Sequence, residues 1–402
     1  MEKAYRQWVS IGICNLILVA LLGCIMRYKI IYSLPWLHQK HILHAHSHFA
    51  FSGWISQLLM VLLVGTLHNR MQAFVKYRYL LIANLLTAYG MLLSFPFEGY
   101  GPVSISFSTA SILISYLFSY RFLRDLRQQP SPATQWFRAA VFFWVLSSLG
   151  AFTLSYLMAS HTITQRWYLA AVYFFLHFQY NGWFFFGCMG ILFAQLKQTR
   201  QVFAYHKRIF RCFVIACTPA YGLSVLWAAL PLWVNLLVAA AAIAQVAGGI
   251  YLWKLVLQQN TAWQNRWPLL ARQTGMLVMI ALSSKLLLQL FSTIPSLSDL
   301  AFGFRPVVIG YLHLVLLGII SLFLITTILV YTSGTKMKWM RRGIRVFTAA
   351  IVLNELLLML QGVCAMAYIA IPGIQQILLF AALALLTGAI LIFFGYRKAV
   401  YA

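Results

Sequence analysis

Residues 43–67 read LHAHSHFAFSGWISQLLMVLLVGTL, a mostly apolar run with three histidines near its beginning. The hydrocarbon core of a bilayer is about 30 Å thick, so a helix needs about 20 predominantly apolar residues to cross it. This run is long enough, and it contains no lysine, arginine or acidic residue. It therefore predicts a transmembrane helix with polar side chains in the half of the bilayer where it begins.

Similar apolar runs recur along the whole chain, in which 62% of the residues are hydrophobic and only 9% are charged. A soluble protein of 402 residues would not need so large an apolar share for its core. The composition predicts an all-α polytopic membrane protein that forms one integral membrane domain over 1–402. We predict about twelve spans, at 8–27, 43–67, 78–97, 102–120, 138–160, 167–195, 209–229, 231–257, 267–291, 304–332, 346–369 and 373–396.

The formal net charge is +25, and its distribution indicates an orientation rather than nucleic acid binding. Most lysines and arginines fall in loops on one side of a twelve-span topology, together with both termini. The positive-inside rule predicts that this side is cytoplasmic. We therefore expect a protein of the inner (plasma) membrane of a bacterium, with cytoplasmic termini and anionic membrane lipid as a partner.

A histidine motif recurs three times in the sequence. His48, His177 and His313 are each followed five residues later by a glycine, and they lie about 130 residues apart, which suggests a triplication. Each motif falls early in the second helix of a predicted group of four. A neutral imidazole that faces the interior of a membrane bundle is most useful as a ligand of heme or a metal ion. The predicted repeats cover about 1–130, 131–260 and 261–402.

Span 2 and the residues just before it carry several histidines. His41, His44 and His48 fall on one helical stripe, whereas His46 points to nearly the opposite face. His48 is followed five residues later by a glycine, as in the other two motifs, and is therefore our predicted heme ligand. His46 together with His177 could hold copper, iron or a second heme. His44 and His41 are candidates for contacting a heme propionate or an entering metal ion, or are simply interfacial histidines.

Two basic residues are candidates for pairing with a heme propionate. Lys285 lies inside the ninth predicted span, near the depth of the motif histidines. It either neutralizes a propionate or extends to the outer interface, and both interpretations stay open at this point. Arg305 opens the tenth predicted span on the outer side and is the second candidate.

The topology and motifs resemble the catalytic subunit of the heme-copper oxidase superfamily, which includes nitric oxide reductases. Residues 310–318 read GYLHLVLLG, similar to GHVHSGALG in the tenth helix of C-type oxidases, and residues 177–182 read HFQYNG, similar to HLWVEG of nitric oxide reductases. The resemblance implies that His313 ligates a low-spin heme and that Tyr311 stands where the family has a high-spin heme ligand. The other low-spin ligand would be one of three histidines, His44, His46 or His48.

The chain departs from the family at the second metal. The family's seventh helix supplies a pair of adjacent histidines, whereas 209–229 contains none, and Asn181 stands where the family has tyrosine or glutamate. The resemblance thus implies a heme-binding integral membrane redox protein with a bis-histidine, low-spin heme b. A second metal site with copper or non-heme iron would use His177, His46 and Tyr311. Whether the protein acts on oxygen or nitric oxide as an oxidoreductase is open, and no catalytic residue is assigned.

Other classes of function stay open on the sequence alone. One is a transporter of metal ions or protons that uses the histidines as a relay. Another is a nitric oxide-response heme and copper protein of the NnrS type. Residues 46–53 are similar to the histidine motif of such proteins if the alignment is shifted by two residues. A third is a heme-free scaffold subunit. For a redox protein we expect a quinone or a partner redox subunit as electron donor, because the short external loops contain no acidic patch for docking a basic cytochrome.

Overall fold

The structure is a computed structural model that describes residues 3–127, 131–162, 164–196, 200–259, 263–264, 266–298, 304–332 and 337–401. It is 88% helical, and the described residues contain no strand. Within those residues, ten helices are long and apolar enough to cross a membrane, which confirms an all-α polytopic membrane protein. They are Lys3–Ile31, Gln39–Val64, Arg70–Glu98, Pro102–Leu126, Pro132–Ala159, Leu232–Gln258, Leu269–Phe291, Arg305–Tyr331, Lys338–Met366 and Ile374–Val400.

Three of the helical runs contain a π-helical segment, so the α-helical pieces on either side are numbered separately. The α-helices are α1 (Lys3–Ile31), α2 (Gln39–Phe49), α3 (Gln57–Val64), α4 (Arg70–Glu98), α5 (Pro102–Leu126), α6 (Pro132–Ala159), α7 (Gln165–His177), α8 (Phe185–Gln195), α9 (Arg200–Cys217), α10 (Leu232–Gln258), α11 (Leu269–Phe291), α12 (Arg305–His313), α13 (Leu322–Tyr331), α14 (Lys338–Met366) and α15 (Ile374–Tyr401). The π-helical segments are π1 (Ala50–Ser56), π2 (Phe178–Phe184) and π3 (Leu314–Ser321).

Two of the twelve predicted spans are not among the ten helices. The predicted span 167–195 corresponds to a continuous helical run through α7, π2 and α8. The predicted span 209–229 has the wrong bounds, because α9 begins earlier and ends at Cys217, and two short 3-10 helices follow at Pro219–Ser224 and Leu226–Ala228. Pro219 lacks a backbone N–H and cannot continue the α-helical hydrogen bonding. The total of twelve spans therefore stays a prediction.

Residues at helix termini set several of these bounds. Pro132 occupies the first turn of α6, where its missing N–H costs nothing, and Thr134 accepts a hydrogen bond from the Ser131 backbone N–H. At α7, the Thr164 hydroxyl accepts a hydrogen bond from the Trp167 N–H at 3.4 Å. At the end of α4, Gly99 has φ +61°, a conformation that favors glycine. These local interactions fix where the membrane helices begin and end.

The chain divides into two compact units, which are described separately. The first unit takes in Met1–Asp125 and Ser321–Ala402. In it α14 and α15 pack closely, because a Cβ added at Gly343 would lie 2.6 Å from the Ile392 N and one at Gly388 would lie 2.7 Å from the Phe347 N. Such small-residue contacts are typical of packed membrane helices. The helix α1 packs against α15, and α2 packs against α4.

The second unit takes in Leu126–Ile320. The helix α6 packs against α7 and α8, and its Gly150 would place an added Cβ 2.6 Å from the Ala171 carbonyl oxygen. The rings of Trp144 and Trp183 stack 4.2 Å apart and nearly parallel. The helix α10 packs against α9 and α11. The predicted repetition of one four-helix group three times stays a prediction.

Candidate functional site

All three motif histidines lie immediately before or within two residues of a π-helical segment. His48 precedes π1, His177 is the last residue of α7 before π2, and His313 is the last residue of α12 before π3. The π-helix is rare and occurs mostly as a single turn within α-helices, frequently at functional sites. The three motifs that share the histidine–glycine spacing therefore also share an uncommon backbone conformation, the π-helix.

The apolar runs did not predict these π-helical segments, although the sequence contains a signal for them. The glycine five residues after each histidine lies inside the segment. An added Cβ at Gly53 would lie 2.6 Å from the Phe49 ring, and one at Gly182 would meet the Phe143 Cβ. At Gly318 the nearest atom would be 3.5 Å away, which is ordinary contact. Glycine is therefore required by packing at the first two positions and not at the third.

His48 in the first unit interacts with the residues around the end of α4. Its Nε2 lies 3.1 Å from the Tyr100 hydroxyl, and its ring stacks on Phe95 at 4.5 Å between centroids. The His44 ring lies 4.5 Å from the Tyr100 ring. The His41 ring covers Gly99, where an added Cβ would lie 2.7 Å from the imidazole Nε2. His41, His44 and His48 thus lie on one face of α2, toward the end of α4.

His46 points toward α1, away from this group, as its position on the helix predicts. Its Nδ1 lies 3.1 Å from the Val19 carbonyl oxygen. An added Cβ at Gly23 would lie 3.6 Å from the His46 ring. Because a carbonyl oxygen only accepts, Nδ1 carries the hydrogen, and the ring's lone pair is on Nε2.

His177 in the second unit is fully buried, and both of its ring nitrogens contact protein groups. Its Nε2–H donates to the Cys217 carbonyl oxygen at 2.8 Å, so its Nδ1 accepts from the Asn181 amide nitrogen at 3.1 Å. The Asn181 Oδ1 is buried without a hydrogen-bond partner. For His177 to bind a metal ion through Nδ1, the Asn181 side chain would have to rotate away.

His313 differs from His177 in both burial and hydrogen bonding. Its Nδ1–H donates to the Ile309 carbonyl oxygen at 2.8 Å, one turn earlier, which leaves the lone pair on Nε2. The ring is half-buried, and no residue of α12 is fully buried. Tyr311 lies on the same helix, with its ring 6.4 Å from that of Tyr180, and Arg305 is exposed at the beginning of the helix.

Lys285 is buried within the second unit, which favors the predicted position near the motif histidines over extension to the outer interface. Its side chain is 5% exposed, and its Nζ lies 6.0 Å from the center of the Phe185 ring. It is close enough to Cys217 and His177 for an electrostatic interaction with both. The reason is packing, because α11 turns this face toward the interior of the second unit. In that unit the sequence has a single acidic residue, Asp299, which lies outside the described residues.

The predicted site residues are thus divided between the two units. His44, His46 and His48 belong to the first unit, and Lys285 and the other candidates, His177, Arg305, Tyr311 and His313, belong to the second. Within the described residues, no three or more histidine, cysteine, aspartate or glutamate side chains come together in a way that could hold a metal ion. No protein-family model matches the chain, and no curated protein sequence matches it.

Proposed function

We propose that this chain is a heme-binding integral membrane redox protein, in which His48 and His313 would hold a low-spin heme b through their imidazole nitrogens. The proposal combines the sequence resemblance to heme-copper oxidases with the hydrogen bonding of the motif histidines. The observation that carries it is the state of His313. A histidine that ligates a metal through Nε2 ordinarily donates its Nδ1–H to a carbonyl or carboxylate oxygen, which fixes the ring and its tautomer. His313 makes this interaction with the Ile309 carbonyl.

His48 fits the role of the second heme-holding residue for a different reason. The partner of its Nε2 is a tyrosine hydroxyl, which can rotate away without leaving a backbone group unpaired. Stacking on Phe95 orients the imidazole. The π-helical segments that follow His48 and His313 support a common role for the two motifs.

The partly exposed outer part of α12 fits a large planar ligand beside His313, since protein does not surround these residues completely. When bound, the heme would supply one-electron exchange. The chain would hold the iron through imidazole nitrogens and exclude water through its apolar spans. Lys285 and Arg305 would supply positive charge for the propionates, with Lys285 favored because it is buried in the second unit.

A second metal ion, copper or non-heme iron, has narrower support. His46 presents the ligand-like tautomer, with Nδ1–H on the Val19 carbonyl. His177 would first have to release Asn181, and Tyr311 would contribute a phenolate oxygen. We therefore propose His46 as the main candidate for that ion.

The finer features of the fold and location belong to the same proposal. They are twelve spans in three repeated groups of four, an inner bacterial membrane, and both termini in the cytoplasm. Electrons would come from a quinone or a partner redox subunit. An oxidoreductase activity on oxygen or nitric oxide would need an open coordination site, which a bis-histidine heme lacks.

The absorption spectrum of the purified protein tests the proposal. We expect the dithionite-reduced protein to have the sharp α-band of a low-spin b heme, lost in His48→Ala and in His313→Ala. His161→Asn is the matched control, because His161 is exposed in a loop with φ +54°, a conformation that asparagine tolerates. A colorless wild-type protein, or variants that keep the band, would contradict the proposal. Carbon monoxide should leave the spectrum unchanged.

A second candidate function, proton or metal-ion transport, is favored by one observation. The second unit contains a buried ammonium, Lys285, near the hydrogen-bonded series from the Cys217 carbonyl through His177 to the unpaired Asn181 Oδ1. Buried ionizable groups of this kind commonly mark ion pathways. A colorless protein that acidifies or alkalinizes proteoliposomes in response to a membrane potential would favor this function over the heme.

A further inference from the structure

A groove on the first unit lies between α1, α4 and α15. Its volume is about 780 Å³, within the usual range of ligand sites. Trp8 and Ile11 line it from α1, and Arg78 and Ile82 line it from α4. Arg397 closes it from α15. Because α1 and α4 begin here and α15 ends here, the groove opens at one membrane end of the unit.

The two sides of the groove differ in chemistry. On α4, Val75, Arg78 and Ile82 follow one another at helical spacing, so a single stripe presents an arginine between two aliphatic side chains. Val75 is 73% exposed, although valine is ordinarily buried in a protein that water surrounds. An exposed aliphatic surface at the membrane end of the unit can contact the acyl chain of a lipid. The Trp8 ring fits the boundary between the acyl chains and the headgroups, where tryptophan is enriched.

Among the described residues, no carboxylate lines the groove, and its two arginines, Arg78 and Arg397, are both exposed. In the described part of the first unit, the acidic side chains have other partners: Asp125 pairs with Lys76 and Tyr77, Glu98 accepts a hydrogen bond from the Ser104 N–H at the opposite end of α4, and Glu355 accepts one from the Asn354 amide. The Arg397 guanidinium carbon lies 5.7 Å from the center of the Phe393 ring on the same helix. Two arginines above an aliphatic floor therefore complement an anionic headgroup that carries acyl chains.

We propose that this groove is a binding site for one anionic phospholipid molecule. The phosphate lies between Arg78 and Arg397, Trp8 marks the headgroup boundary, and an acyl chain follows Ile11 and Ile82 into the bilayer. The charge pattern of the sequence predicts that this end of the unit is cytoplasmic. Anionic lipids are enriched in the cytoplasmic leaflet of the membrane. The site does not depend on the proposed heme.

Native mass spectrometry of the full chain in detergent, mixed with equal amounts of phosphatidylglycerol and phosphatidylcholine, tests the proposal. We expect the wild type to retain phosphatidylglycerol preferentially. Arg78→Gln and Arg397→Gln should each lower its retention about fivefold, the effect expected for one basic side chain beside an anionic lipid. Arg345→Gln is the matched control, because Arg345 is exposed at the beginning of α14 in the same unit and does not line the groove.

A further variant separates the contribution of the groove's shape from that of its two arginines. Ile82→Trp fills the floor while keeping both arginines, and it should also lower retention of phosphatidylglycerol. Equal retention of the two lipids by the wild type would overturn the proposal, as would equal losses in the groove variants and in Arg345→Gln. Full displacement of the lipid by millimolar glycerol phosphate would assign the site to a soluble anion instead and would equally overturn it.

Discussion

His177 and His313 share a motif and lie in the same unit, but they differ in burial and in hydrogen bonding. His177 is fully buried, with partners on both ring nitrogens, and every residue of π2 is buried. His313 is half-buried and donates from Nδ1 to the Ile309 carbonyl of its own helix. The difference teaches that repetition of a motif does not fix the role of its histidine. The partners of the two ring nitrogens decide that role.

The glycines of the two motifs test this comparison with the largest expected effect. Gly182→Ala should destabilize the protein by about 3 kcal/mol, because the new methyl would meet the Phe143 Cβ rather than a flexible side-chain end. Gly318→Ala should be neutral or slightly stabilizing, because the methyl has ordinary contact distances and alanine favors helix. Thermal unfolding in detergent, followed by a thiol-reactive dye that detects the buried Cys188 and Cys217, measures both. Equal destabilization would mean that the two π-helical segments are packed alike.

Replacing the histidines themselves should separate stability from heme binding. His177→Phe should cost about 1 to 2 kcal/mol, because it removes two hydrogen bonds between buried groups, and it should leave the heme spectrum intact. His313→Phe should remove the heme band and change the stability of the heme-free protein by less than about 0.5 kcal/mol, because the hydrogen bond from Nδ1 to the Ile309 carbonyl lies within one helix and the ring is only half-buried. The same dye assay and the reduced spectrum supply the two measurements. Loss of the heme in His177→Phe would break the comparison.

The charge of Lys285 provides a further test of the comparison between His177 and His313. If its ammonium lies near a heme ligated by His313, Lys285→Met should lower the heme midpoint potential on the order of tens of millivolts, because a positive charge stabilizes the reduced iron. Lys285→Arg keeps the charge and is the control. A redox titration followed at the heme band makes the measurement. An unchanged potential in Lys285→Met would instead associate this lysine with His177 alone.

A small effect is expected beside the remaining motif, that of His48. Tyr100→Phe removes the hydroxyl beside His48 Nε2, and it should change stability by no more than about 0.6 kcal/mol while the heme content stays at the wild-type level. Tyr100→Leu, which also removes the ring that packs on His44, is the companion variant and should cost more stability. Loss of heme in Tyr100→Phe would mean that the hydroxyl, and not only the imidazole, is needed for binding.

Much of the architecture could be predicted from the residues, because the bilayer forces backbone groups to pair within each span. The apolar runs predicted ten of the observed helices, including the one over Gln39–Val64. The seventh run failed because Pro219 interrupts the helix, and an apolar composition does not reveal where helical hydrogen bonding stops. The opposed faces of His46 and His48 were predictable as well, since helical periodicity alone separates them.

The sequence by itself determined the membrane class, the helical content and the threefold recurrence of a histidine followed by a glycine, because hydrophobicity and spacing are properties of the chain. Only the tertiary structure decided that Lys285 is buried and that the Cys217 carbonyl accepts a hydrogen bond from His177 Nε2. Both outcomes depend on which helices pack beside these side chains. An imidazole has the same two nitrogens in all three motifs, and only neighboring atoms determine which of them carries the hydrogen.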